Sequence, residues 1–223
     1  MAATTELLVM LPDREQTLPM SYDEFVSRVA EDAHAEWVDG ETTIFMSPKE
    51  RHQALINLLG TLLTIFVEHF GLGLIRSAPY EMRVNPTGSV REPDLLFISG
   101  PHRDRISEEG LAGPADLVIE IMSGESLRRD RADKFYEYQD GGIPEYWLFD
   151  PRPRRQRVDL YRLDEQGAYR PILPDENGHY HSAIVPGFWF DPSWLRQVPL
   201  PGALSLFSII VPSAFPQPRS VTE

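Results

Sequence analysis

The sequence predicts an α/β fold in which helices cover both faces of a central β-sheet. Residues 95–98, 117–122 and 145–149 are short, almost continuous apolar runs, the pattern of strands buried on both sides. Longer segments with helical apolar spacing, 47–70 and 125–140, alternate with them. Behind them, residues 157–163, 168–173 and 179–185 are separated by the turn clusters 164–167 and 175–178, which predicts an antiparallel C-terminal extension.

Length and composition are consistent with this. A chain of 223 residues with 42% hydrophobic residues is long enough to bury one substantial core. The expected organisation is an N-terminal arm over 1–19, a single domain over 20–206, and a C-terminal tail over 207–223, docked at first and then partly disordered. There is no cysteine, which excludes disulfides, thiolate metal sites and cysteine nucleophiles. No export signal is legible in residues 1–20, so a cytoplasmic protein is expected.

Taken in order, Ser21 and Glu24 form a capping box and predict a helix over 22–33. Asp39-Gly40 between two short apolar segments predicts a hairpin. Ser47-Pro48 opens a second helix, broadly apolar through Leu55, Leu59, Leu62 and Phe66 and stopped at Phe70-Gly71. Residues 74–84 read as one extended strand, 85–88 as a turn, 93–99 as the next strand, and 100–114 as a loop. Ser123-Gly124 turns the chain into a third helix, ended by Gly141-Gly142.

Two carboxylates break the apolar pattern. Asp94 opens one buried run and Glu120 interrupts another, and a carboxylate placed there is costly without compensation. A divalent cation held between two strands is the compensator that best explains both. Glu120 lies roughly 10 Å of strand before the turn at Ser123, and Lys134 lies roughly 15 Å of helix beyond it. A helix folded back on its own strand therefore brings Lys134 near Glu120. The competing role for this lysine is a surface ion pair with Asp130, four residues earlier on the same helix face.

The net charge of −13 argues against avid, non-specific binding to a polyanion. The charge is uneven, however. Residues 128–157 carry eight basic and six acidic residues, a window of +2 on a remainder of −15, readable as a solvated face or as a phosphate-facing strip. His52, at the start of the second helix, is a candidate for the site or for a helix-end contact. His179 and His181 have no third ligand spaced with them and read as surface strand residues. Trp37, Trp147, Trp189 and Trp194 read as core anchors.

The ordered set Pro93-Asp94, Glu120, Asp130, Lys134, Tyr138, Gly142-Ile143 and Glu145-Tyr146-Trp147, with Glu36, Asp39-Gly40-Glu41, Ser47-Pro48 and His52 upstream, resembles the Uma-type restriction endonuclease family. That family is a branch of the PD-(D/E)XK nuclease-like superfamily. The resemblance runs from Met20 to about Leu206 and implies a restriction-endonuclease-like mixed β-sheet flanked by α-helices. It also implies Asp94 and Glu120 as metal ligands, with Lys134 standing in for the lysine usually found two residues after the glutamate, where this chain has Met122. In such a site Asp94, Glu120 and the Ile121 carbonyl hold Mg²⁺, with Mn²⁺ as a substitute, while Glu36, Asp130 and His52 support them.

The activity implied is hydrolysis of DNA phosphodiester bonds by a metal-dependent endonuclease. A homodimer suits a two-stranded substrate contacted by a small basic strip. The alternative is a nuclease-fold protein that binds without cleaving, suggested by the acidic surface and the absent Glu-x-Lys. A two-carboxylate glycosidase on Asp94 and Glu120 lacks the exposed aromatic row a sugar would need.

Overall fold

The computed structural model describes residues 16–21, 24, 35–38, 41–44, 50–85, 90–108, 110–122, 127–151, 157–197 and 199–214. Its centre is a six-stranded sheet in the order β11-β10-β9-β8-β7-β4. The strands are β4 (Gly73–Ser77), β7 (Leu95–Ser99), β8 (Leu117–Ile121), β9 (Glu145–Asp150), β10 (Arg157–Leu163) and β11 (Tyr169–Pro171). Only β8 and β9 run parallel; every other neighbouring pair is antiparallel. The parallel pair needs a crossover, and helix α2 (Leu127–Asp140) supplies it.

Strand periodicity sorts the side chains onto two faces. Leu95, Phe97, Leu117, Ile119, Ile121, Trp147 and Phe149 pack on one face with Leu55, Leu59, Leu62, Leu63 and Phe66 of helix α1 (Glu50–His69). Helix α3 (Ala203–Ile210) packs against α1 and buries Leu206, Phe207 and Ile210 in the same layer. On the opposite face Leu96, Ile98, Val118, Tyr146 and Leu148 meet Tyr138 of α2, together with Met82 and Val84. Every residue of β8 and β9 is buried, which is why their sequences show no alternation.

Local signals in the sequence are realised where the structure describes them. Ser21 N–H donates to Glu24 Oε2 at 3.0 Å and Glu24 N–H donates to Ser21 Oγ at 3.3 Å, so the capping box is formed; the helix expected beyond it lies outside the described residues. Strands β2 (Ala35–Val38) and β3 (Glu41–Ile44) pair antiparallel around the Asp-Gly position. Strand β1 (Gln16–Pro19), from the stretch assigned to the arm, pairs with β3. Helix α1 stops at Gly71 (φ 62°) and α2 at Gly142 (φ 74°), both in the left-handed region where glycine bears no steric penalty.

Two expectations need correction. Residues 74–84 are not one strand: β4 ends at Ser77, the chain bends through a cis Ala78-Pro79 bond, and β5 (Met82–Arg83) pairs with β6 (Val90–Arg91) outside the main sheet. Proline cannot donate to a ladder, so the strand breaks there. The segment 179–185 leaves the sheet as well. Only β12 (Tyr180–His181) is extended, and it pairs with β13 (Trp189–Phe190) instead of with β11. Helix α3, at 203–210, runs across the position set for the start of the tail.

Close approach at one glycine makes a stability prediction. A Cβ on Gly73 would sit 2.1 Å from the Ile98 carbonyl oxygen and 2.9 Å from Ser99 Cα, both backbone atoms of the paired strand β7. Gly73→Ala must push β4 off β7 and is expected to cost about 1–3 kcal/mol, readable as a fall in thermal midpoint of several degrees. An unchanged midpoint would show that this edge yields freely.

Candidate active site

Strand β8 outruns its antiparallel neighbour: the β7–β8 ladder begins at Leu95↔Ile119, so Ile121 has no strand residue opposite it on that side. A buried backbone N–H left there would be costly. Asp94, the residue before β7, supplies the acceptor, taking the Ile121 N–H on Oδ2 at 2.6 Å. The Asp94 carbonyl in turn accepts from Ala78 N–H at 3.2 Å. Its carboxylate is thereby fixed beside the backbone that follows Glu120.

Glu120 points to the other face of β8, toward α2, and is 5% exposed. Lys134 Nζ donates to Glu120 Oε1 at 3.0 Å and Tyr138 Oη donates to the same oxygen at 2.8 Å. Lys134 and Tyr138 are four residues apart and so share one face of α2. The helix does fold back over its strand, and the lysine reaches Glu120. Burial, then the Glu120 charge, push the Tyr138 hydroxyl well above its ordinary range, so it remains a neutral donor.

A second tie holds α2 in place. Arg91, three residues before Asp94, donates through Nε to Glu137 Oε2 at 2.9 Å. Helix α2 is thus pinned to the segment carrying Asp94 as well as to Glu120, and both carboxylates keep their relative positions.

His52 comes from α1 on the opposite layer. It is 9% exposed, and its Nε2 lies 3.6 Å from Asp94 Oδ2. Burial alone would lower its pKa, but the Asp94 carboxylate, the Ile121 backbone and the Glu120 charge together outweigh burial and raise it. Of the two contacts considered for this histidine, a helix-end partner or the acid at the candidate site, the structure has the one with Asp94.

The remaining candidates divide differently. Glu36 lies in β2 and Asp130 in α2, but their side chains are outside the described set. His181 Nε2 bonds Asp175 Oδ2 at 2.9 Å, and His179 stacks on Trp189 at 4.3 Å between ring centroids, a surface arrangement. Trp147 and Trp194 are buried and Trp189 half-buried.

Sequence reasoning did not foresee three contributors. Tyr138 as a donor to Glu120 is foreshadowed only by its place one turn after Lys134. The Ile121 N–H carries no side-chain signal. The Arg91–Glu137 pair joins residues 46 positions apart and has no local signature.

Asp94, Glu120 and the Ile121 carbonyl are hard oxygen donors, a set that suits Mg²⁺ or Mn²⁺ with coordination completed by water. Among the described residues no group of three or more histidine or acidic side chains is gathered to hold an ion unaided. No described helix is long and apolar enough to cross a membrane.

The mixed sheet flanked by helices is a restriction-endonuclease-like fold. Residues 21–193 match the Uma2 family, described as "Putative restriction endonuclease", and the chain belongs to that family. The structure is similar to the crystal structure of a "putative nuclease belonging to DUF820" from Anabaena variabilis ATCC 29413. The TM-score is 0.55 at 18% identity, over 79% of this chain and 97% of the other, a likeness in fold. No curated protein matches the chain.

Proposed function

We propose that the protein is a metal-dependent endonuclease that hydrolyses DNA phosphodiester bonds at the Asp94–Glu120–Lys134 site. The observation that carries this reading is Lys134 Nζ at 3.0 Å from Glu120 Oε1, with Asp94 fixed at the adjacent backbone. Holding a buried Glu120 with a half-buried Asp94 and Lys134 at the end of two interior strands costs stability that an apolar set would not, which favours retention for chemistry. Family membership supports a nuclease, and Mg²⁺ is the ion proposed for Asp94, Glu120 and the Ile121 carbonyl. When bound, such an ion lowers the pKa of a coordinated water and stabilises negative charge at the phosphoryl group.

The chain's own groups do the rest. Lys134 offsets phosphate charge and orients the attacking water through a hydrogen bond. Tyr138 holds Glu120 in the rotamer that Lys134 addresses. Through its contact with Asp94, His52 restrains that carboxylate from the opposite face. Glu36 and Asp130 are proposed as supporting acids, and a two-fold dimer as the assembly that addresses both strands.

The test is incubation of supercoiled and linear DNA with the purified chain and Mg²⁺ or Mn²⁺, with a chelator arm and a Lys134→Ala arm. Cleavage is expected with metal, none with chelator, and a loss of about 10²–10³ in rate for Lys134→Ala. Undiminished activity in chelator would refute the metal-dependent reading. The other reading, binding without turnover, is favoured by the direct Lys134–Glu120 pair, which already engages one oxygen of the proposed ligand. Metal and DNA binding with no cleavage in either ion would select it.

A further inference from the structure

A cavity of about 270 Å³ opens at the same end of the strands, on the α1 face, lined by Leu55, Phe149, Val158 and Tyr180, with Asp150, Arg157 and Arg196 as its charged groups. Its position relative to the site is fixed by pairing. Phe149 is the β9 partner of Ile121, and Val158 is the β10 partner of Phe149. The cavity therefore begins one strand spacing from the backbone that holds Asp94 and ends at the next, about 5–10 Å away.

Consecutive residues of α1 join the two places. His52 reaches Asp94, while the Arg51 guanidinium donates to the Leu195 carbonyl and, at 3.1 Å, to the Gln197 carbonyl. Those carbonyls flank Arg196 in the short 3₁₀ turn Pro192–Arg196, whose start is capped by Asp191 accepting Ser193 N–H at 2.7 Å. The wall carrying Arg196 is thus built rigidly onto the start of the helix that serves the site.

The lining is mixed in a particular way. Val158 and the Tyr180 ring, half-buried and stacked on Phe190 at 5.7 Å between centroids, form its apolar wall over buried Leu55 and Phe149. Arg196 is exposed and pairs with no described carboxylate, whereas Arg157 is occupied by Asp159 at 2.7 Å. Apolar walls beside a guanidinium that no described carboxylate engages match a base with its phosphate.

We propose that this cavity is a nucleotide subsite, which takes an unpaired nucleotide flanking the scissile phosphate, its base in the apolar slot and its phosphate on Arg196. The choice of ligand rests on the nuclease reading. On that basis the preferred substrate has a single-stranded or opened segment beside the cut, since a base inside a duplex cannot enter the slot.

The experiment titrates a 2′-deoxynucleoside 5′-monophosphate, deoxyribose 5-phosphate and inorganic phosphate into the full chain without divalent metal, for wild type, Arg196→Glu and Tyr180→Leu. In parallel, KM and kcat are measured on an oligonucleotide with Mg²⁺. The nucleotide is expected to bind at least about tenfold tighter than either base-free phosphate, and Arg196→Glu to lose about tenfold in affinity and raise KM with little change in kcat. Tyr180→Leu should lose the preference for the nucleotide while still binding phosphate. Equal affinity for all three ligands, or indifference to Arg196→Glu, overturns the subsite. Nucleotide binding without cleavage in any metal overturns the nuclease reading and keeps the subsite; cleavage without nucleotide preference does the reverse.

Discussion

Asp94→Asn is expected to lower metal-dependent DNA cleavage by at least about 100-fold while leaving the protein folded. Two functions of one carboxylate are separated by this substitution. The asparagine carbonyl oxygen can still accept the Ile121 N–H that Asp94 Oδ2 accepts at 2.6 Å, so the end of β8 keeps its acceptor. The negative charge proposed to hold the cation is lost. Asp94→Ala removes both and should add a stability cost of about 1–3 kcal/mol for the unpaired backbone donor. Parallel rate measurements and thermal melts decide the matter: equal cleavage by Asp94→Asn and wild type would remove Asp94 from the active site.

Glu145→Ala is the largest stability effect anticipated, about 3–5 kcal/mol. This carboxylate is 0% exposed at the start of β9. Oε2 accepts from Ser182 Oγ at 2.8 Å and from Trp147 Nε1 at 3.2 Å, and Oε1 accepts from Ala183 N–H at 2.7 Å. Ser182 Oγ meanwhile accepts from Ile184 and Val185 N–H, so its own proton has only the glutamate to go to. Alanine strands three donors and leaves a cavity; glutamine keeps part of the network and should cost less. Burial outweighs these donors and raises the Glu145 carboxyl above its ordinary range. The folded chain then holds that proton more tightly than the unfolded one, so the residue's contribution weakens as pH rises through the ordinary carboxylate range and is level above the raised value. Denaturant melts of wild type and Glu145→Gln across that range measure it; the stability of wild type relative to Glu145→Gln is expected to rise as pH falls, and a fall would contradict the sign.

The sequence reveals the sheet's interior well because β8 and β9 have water on neither face, so their composition is decided by burial alone. It reveals the ends of α1 and α2 because Gly71 and Gly142 adopt a backbone conformation that few other residues accept. It is less informative where pairing is chosen by tertiary contacts. Nothing local says that 180–181 pairs with 189–190 instead of with β11, and reading 74–84 as one extended strand passes over the break that Pro79 imposes.

The candidate site follows the same division. Asp94 and Glu120 stand out because charge inside an apolar run is anomalous, and chain geometry alone carries Lys134 to Glu120. The distance rule works there because one strand, one turn and one helix connect the two residues. His52 is harder to place, because a helix-start histidine serves many ends and only the packing of α1 against the sheet brings it to 3.6 Å from Asp94. Ile121 contributes a backbone N–H, which has no side-chain signature at all. The cavity beside Arg196 depends on a 3₁₀ turn some 140 residues after Arg51, the residue that anchors it.

Asp94 and Glu120 are proposed to act together on one divalent ion. Isothermal titration of Mg²⁺ and Mn²⁺ into wild type, Asp94→Asn, Glu120→Gln and Lys134→Ala tests that most directly. Saturable binding is expected in wild type and in the lysine variant, with loss in each carboxylate variant. Identical titrations for all four proteins would contradict it and would leave the two carboxylates with a structural role only.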